Sequence, residues 1–345
     1  MGVTARWRSA IATDPGLVRE SNEDRCYTDD ERGVFLVVDG IGGHAGGEIA
    51  AELAVDTIRQ ALLNSRGPTA TRVRAAITEA NNLIHKTADA NPAWHGMSCV
   101  LTLALVEENR VTIGHVGDSR LYLVWNGAIR KLTSDQSPVG EQEESGVLTE
   151  FEAMRHPRRN EVFVDVGSQP RQPGDEFIQI RELEFKPDAA LLLCSDGLSD
   201  LVTTAEILGI VENYDGDPGF VPQALVDAAL VAGGRDNVSV VFVAGSGFLG
   251  SRSTRMSAAR QRLSATRARG APGPDREPRG PRTRLLLAWL CLVLGLILGL
   301  VGGYVAATFA PWINFQSPQS HWAPSTTVDV PHTGPSTPTP DNHAH

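Results

Sequence analysis

Val34-Phe35-Leu36-Val37-Val38-Asp39-Gly40-Ile41-Gly42-Gly43 sets the plan of the chain. Residues 34–38 are too uniformly apolar for a strand with one wet face, so they read as a strand buried on both sides. The run stops at a carboxylate followed by glycine. Asp118 (VTIGHVGDSR), Asp196 (ALLLCSDGLSD) and Asp236 (GGRDNVSVVFV) repeat the device, and Glu23 and Asp24 form a further acidic pair upstream. One Asp-Gly is usually a turn, because Asp bonds its own backbone and Gly supplies positive φ. Several carboxylates on the margins of buried strands are costly together unless a cation joins them, and hard divalent ions prefer such oxygens.

Downstream of the glycines, Ala50, Leu53, Ala54, Thr57 and Ala61 recur at helical spacing, as do Val73, Ile77, Ala80 and Ile84. These predict two consecutive amphipathic helices. Strands are expected over 99–106, 111–116, 121–125 and 128–132, with Asn126-Gly127 as a hairpin turn. A helix near 149–155, strands at 176–180 and 190–195, helices near 204–212 and 218–232, and a last strand over 237–244 complete the reading. Strands joined by tight turns pair antiparallel, which excludes a parallel βαβ sheet and leaves helices to cover two packed sheets.

The chain has 345 residues, 41% of them apolar, enough for one domain of about 240 residues with an appendage. Residues 246–284 are rich in Arg, Ser, Pro and Gly and read as a disordered juxtamembrane linker. Residues 285–310 carry no charge. As a helix they would extend roughly 39 Å, more than the ~30 Å hydrocarbon core of a bilayer, so one transmembrane helix is expected. Ten Arg lie between Arg252 and Arg284, and no Lys or Arg follows. The asymmetry predicts a single-pass protein of the cell membrane whose N-terminal domain, residues 1–245, is cytoplasmic, with residues 311–345 as a disordered tail outside. Cys26, Cys99, Cys194 and Cys291 show no CxxC spacing and suit a reducing compartment.

The net charge of −10 conceals a division. The first 245 residues hold 21 basic against 37 acidic side chains, while the last hundred hold ten Arg against four acids. An acidic domain repels nucleic acid and attracts divalent cations; the Arg-rich linker, beside a membrane span, is expected to contact anionic lipid. Gly295, Gly299 and Gly303 recur every four residues, a spacing that allows close pairing of two spans and hence a dimer.

Five segments occur in a telling order: Arg19-Glu20-Ser21-Asn22-Glu23-Asp24, Val38-Asp39-Gly40-Ile41-Gly42-Gly43-His44, Gly117-Asp118-Ser119-Arg120, Cys194-Ser195-Asp196-Gly197-Leu198 and Gly234-Arg235-Asp236-Asn237-Val238. Over residues 10–244 the chain resembles the metal-dependent protein phosphatase family (PP2C or PPM), and within it the bacterial branch that opposes Ser/Thr kinases. The resemblance implies an α+β fold, a four-layer α-β-β-α sandwich of two antiparallel sheets flanked by helix pairs. It also implies two Mn²⁺ or Mg²⁺ ions at one end of that sandwich. Asp39 would bridge both, Gly40 would give one its carbonyl, Asp196 and Asp236 would complete the other, and Glu23 and Asp24 would hold water molecules of the centre. Asp118, with Asp196, matches a third and looser metal position. Arg19 matches the family's phosphate-binding arginine, whose planar fork can hold two phosphoryl oxygens.

The implied chemistry is hydrolysis of phosphoserine and phosphothreonine on proteins, with Arg19 and Asp39 as the catalytic pair and phosphorylated proteins and a Ser/Thr kinase as partners. Ile41 stands where eukaryotic members carry a histidine that could protonate the leaving group, so the proton donor is unassigned. His44 belongs to the bacterial GGH motif. Asp135-Gln136-Ser137 replaces the family's Asp-His-Ser, and residues 159–167 are a divergent form of the flap beside the site. Two other readings are a phosphatase-like binding or sensor module with little turnover, and a phosphatase of a sigma-factor regulatory protein.

Overall fold

The computed structural model describes residues 7–42, 46–172 and 174–251. In chain order the elements are β1 (Trp7–Asp14), β2 (Arg25–Asp29), β3 (Val34–Ile41), α1 (Gly46–Asn64), α2 (Thr69–Ala90), β4 (Ser98–Glu107), β5 (Arg110–Val116), β6 (Arg120–Trp125) and β7 (Ala128–Lys131). They continue with α3 (Pro138–Glu144), α4 (Glu150–Ala153), β8 (Gln179–Glu184), β9 (Ala189–Cys194), α5 (Asp196–Ser199), α6 (Thr204–Val211), α7 (Phe220–Val231) and β10 (Val238–Gly245). One sheet has the order β1-β10-β9-β6-β7 and the other β2-β3-β4-β5-β8, with every pairing antiparallel.

The uniform apolarity of β3 follows from two cores meeting on it. Phe35 and Val37 point between the sheets, against Leu191, Leu193, Val241 and Val243. Val34, Leu36 and Val38 point the other way, into a core with Ile58 of α1 and Ile77 and Ile84 of α2. The central strands of the second sheet repeat the arrangement: Ala190, Leu192, Val240 and Phe242 face Ile207 of α6 and Leu225 of α7. The layers are therefore helix, sheet, sheet, helix, with three apolar seams. Each Val, Leu, Ile or Phe among these contributes about 1.5–3 kcal/mol of burial.

The hairpin between β6 and β7 forms at Asn126-Gly127, both with positive φ (54° and 72°), as a two-residue turn with the twist of its strands requires.

Three expectations need correction. Asp39 lies within β3, paired with Val100, rather than in a turn after it, because the ladder with β4 continues through Ile41. The strand expected at 176–180 is β8, Gln179–Glu184. Phe177 and Ile178, whose apolarity suggested it, are buried in the preceding segment, while β8 is an edge strand with no fully buried residue to mark it. Residues 246–250 also belong to the folded region: Phe248 packs on Tyr214 and Phe242, and the Gly250 amide bonds the Tyr214 carbonyl.

Among the described residues no helix is long and apolar enough to cross a membrane. The expected span at 285–310, its glycines, the linker beyond 251, the tail, Cys291 and His44 lie outside the described residues.

Candidate active site

The acidic residues singled out by the sequence arrive at one end of the sandwich from four strands and a loop. Asp39 and Gly40 are paired residues near the end of the β3 ladder, opposite Val100 and Cys99. Gly40 has no room for a side chain, since a Cβ would collide with the Gly47 carbonyl at the start of α1. Asp118 sits between β5 and β6 behind Gly117, whose φ of +99° and contact with Val100 require glycine. Asp196 opens α5 directly after β9, and Asp236 stands two residues before β10. Glu23 comes from the segment between β1 and β2.

These side chains line a cavity of about 200 Å³: Glu23, Asp39, Asp118, Asp196 and Asp236, with Gly40 and Ile41 on the β3 side and Arg19 beside them. Asp24 is not on this wall. It is 3% exposed behind it, where its Oδ2 accepts from Ser195 Oγ at 2.8 Å and its Oδ1 has no hydrogen-bond partner. Ser195 Oγ accepts in turn from the Ser239 amide at 3.0 Å, so Asp24 is tied to the strand ends that present Asp196 and Asp236.

Electrostatically the site is a carboxylate cluster short of positive charge. Burial, then repulsion from neighbouring carboxylates, pushes Asp39 and Asp118 well above the usual range. Burial chiefly, and Asp236 next, raises Asp196 to about 6; burial raises Asp24 to about 7 against the bonds from Ser239 and Ser195. Arg19 supplies one cation, donating from Nη2 to Asp236 Oδ2 at 2.8 Å. Among the described residues no three His, Cys, Asp or Glu side chains close into a ready-made ion cage. The donor set is nonetheless all oxygen, carries several negative charges and opens onto solvent. Such a set fits hard divalent cations that complete their coordination with water and a backbone carbonyl.

Val100, which was not singled out from the sequence, also lines the cavity, as do Asn160 and Val162 of the flap segment 159–167 and the motif residue Asn237. Asn160 and Val162 belong to a segment fastened at both ends: Arg159 Nε donates to Asp200 Oδ2 at 2.7 Å, and the Phe163 amide donates to the Gln136 carbonyl at 2.8 Å. Gln136, at the position of the family's histidine, holds the turn of Asp118. Its amide donates to the Gly117 carbonyl and its Oε1 accepts from the Gly117 amide, each at 2.8 Å. Arg120, from the Gly-Asp-Ser-Arg segment, faces away from the cavity into a buried pair with Asp135 (2.9 and 2.7 Å) and Glu143 (2.7 Å). Burial would raise Asp135, and Arg120 and Lys131 more than reverse that, leaving it below the usual range.

The protein phosphatase 2C family matches residues 18–221. The serine/threonine phosphatase stp of Listeria welshimeri is 33% identical over 239 residues, covering 67% of this chain and 93% of its own length. The serine/threonine protein phosphatase PstP of Mycobacterium tuberculosis is 34% identical over 244 residues, 69% of this chain and 45% of its own. The crystal structure of that PstP superimposes with a TM-score of 0.62 at 32% identity, covering 69% of this chain and 98% of the other. A structure of the PstP catalytic domain in complex with two manganese ions gives 0.61 at 30% identity, covering 69% and 97%. Fold, order of motifs and the oxygen-lined cavity agree with these matches: this chain belongs to the protein phosphatase 2C family, in its bacterial serine/threonine phosphatase branch.

Proposed function

We propose that this chain is a metal-dependent protein phosphatase that removes phosphate from phosphoserine and phosphothreonine on proteins at the inner face of a membrane, opposing a Ser/Thr kinase. The observation that carries the reading is the convergence of Asp39, Asp118, Asp196 and Asp236 on one cavity beside an arginine. Asp39, Gly40, Asp196 and Asp236 would hold two Mn²⁺ or Mg²⁺ ions, with Asp118 available to a third. When bound, such ions acidify water and neutralise charge on the phosphoryl oxygens.

The chain's own residues do the rest. Arg19, half exposed at the cavity, offers a planar fork to two phosphoryl oxygens and orients the phosphorus. Its bond to Asp236 holds that fork against the acidic wall before substrate arrives. Glu23 is raised by burial, which Arg19 opposes, and it can accept a hydrogen bond from ordered water. Among the described residues no histidine lines the cavity, and water held by these acids can serve as a proton donor to the leaving group. Among the described residues no cysteine reaches the cavity either.

Membrane attachment is supported by the charge-free run 285–310 and the arginines before it. The full chain is expected to release phosphate from a phosphothreonine peptide only with Mn²⁺ or Mg²⁺, and to sediment with membranes until residues 285–345 are deleted. No release at saturating Mn²⁺ would refute the activity, and a deleted chain that still sediments would refute the anchor.

A further inference from the structure

The segment 15–23 carries Arg19 and Glu23, contains no helix or strand, and still presents both side chains to the cavity. One side chain from outside the segment binds both of its ends. Asn237, 6% exposed, donates from Nδ2 to the Pro15 carbonyl at 3.0 Å and to the Ser21 carbonyl at 2.8 Å, and its Oδ1 accepts from the Glu23 amide at 2.8 Å. Three of the four hydrogen bonds an amide side chain can make are thus used on one loop, at its start and at its end.

Further contacts press the same loop on the same turn. The Leu17 amide donates to the Gly234 carbonyl at 2.7 Å. Gly16, with φ +78°, lies so close that a Cβ would strike the Asp236 carbonyl. Arg19 then reaches Asp236 Oδ2 at 2.8 Å. Loop 15–23 and turn 234–237 therefore form one body, and the residue next to Asp236 fixes where Arg19 can stand.

We propose that Asn237 is a positioning residue: it acts through Arg19 and Glu23 to set the phosphate-binding distance, with no bond of its own to substrate. The inference rests on the proposed function in one respect, that Arg19 receives phosphate. A buried amide with three good partners outweighs a mere space-filler here, because losing it frees two carbonyls and one amide at the loop ends. A fork displaced by about 1 Å costs on the order of a hundredfold in a positioned reaction.

The test is a double-mutant cycle on the full chain in detergent with Mn²⁺, reading inorganic phosphate affinity by isothermal titration and as a competitive inhibitor. Asn237→Ala is expected to weaken phosphate at least tenfold, raising KM for a phosphothreonine peptide more than it lowers kcat. Asn237→Ser keeps a neutral donor and acceptor on a shorter arm and adds no charge beside Asp236. It is expected to fall between wild type and Asn237→Ala, and it carries the test alone should Asn237→Ala fail to fold. In an Arg19→Ala background, Asn237 substitutions are expected to change phosphate affinity less than twofold. A wild-type chain that binds and releases phosphate, beside Asn237 variants within twofold of it or equally weakened with and without Arg19, overturns this inference alone. A wild-type chain that neither binds nor releases phosphate overturns the proposed function as well.

Discussion

Arg19 Nη2 stands 2.8 Å from Asp236 Oδ2, so the cation nearest the cavity and one of its acids are held as a unit across 217 residues of sequence. The guanidinium is half exposed and free to offer its other donors to a phosphate. Arg19→Ala is expected to raise KM for phosphorylated peptides by about tenfold or more, the effect of one charge-assisted hydrogen bond of ~1.5–3 kcal/mol. Arg19→Lys keeps the charge and loses the fork, and is expected to recover only part of that loss. Steady-state kinetics on a phosphothreonine peptide measures both.

Metal-free protein is expected to be less stable at pH 8 than at pH 5. Asp24, Asp39, Asp118 and Asp196 are all raised by burial and by their acidic neighbours, Asp196 to about 6 and Asp24 to about 7. The folded state therefore binds protons more tightly than the unfolded chain. The associated stability is complete below about pH 4, where the unfolded carboxyls also protonate, and is lost as pH rises through 6 and 7. His115 runs the other way, because burial lowers it to about 4, but it is one group against these four and against Glu23 and Asp200, which burial also raises, Asp200 to about 7. Thermal midpoints in EDTA should drop on the order of 5 °C or more across this range. Adding Mn²⁺ at a hundredfold excess over its Kd should restore about 2.7 kcal/mol at pH 8.

Arg120 and Asp135 bury an ion pair that the site does not use. Arg120→Ala leaves Asp135 without its main partner in the interior and is expected to cost about 3–5 kcal/mol in urea denaturation. A smaller loss is expected in the double variant Arg120→Met with Asp135→Leu, which removes both charges.

The clamp between Arg159 and Asp200 predicts a substrate-dependent effect. Arg159→Ala releases one end of the segment that puts Asn160 and Val162 on the cavity wall. Hydrolysis of p-nitrophenyl phosphate, a small substrate that touches less of this wall, is expected to fall less than hydrolysis of a peptide. Hydrolysis of a phosphothreonine peptide, which must pass that segment, is expected to fall several-fold.

How much of this was legible from sequence depended on burial. Strands whose two faces both meet apolar layers, β3, β9 and β10, announce themselves as unbroken runs, and the carboxylates Asp39, Asp196 and Asp236 lie at their margins. Strand β2 has only half-buried residues, β8 lies at a sheet edge, and β1 buries only Trp7 and Ala12 fully, so none carries a pattern of its own. The segment 15–23 was legible only as a motif, since its shape comes from Asn237, more than two hundred residues away. Asp24 illustrates the limit of the motif itself: the residue beside Glu23 stands behind the cavity wall and bonds Ser195.

Cation-dependent hydrolysis built on Asp39 is tested by phosphate release from a phosphothreonine peptide in saturating Mn²⁺, comparing wild type with Asp39→Asn. The substitution removes one charge from a self-repelling cluster, so the variant should fold at least as stably as the metal-free wild type while losing more than a hundredfold in kcat. A folded Asp39→Asn protein that releases phosphate within tenfold of the wild-type rate would contradict the account.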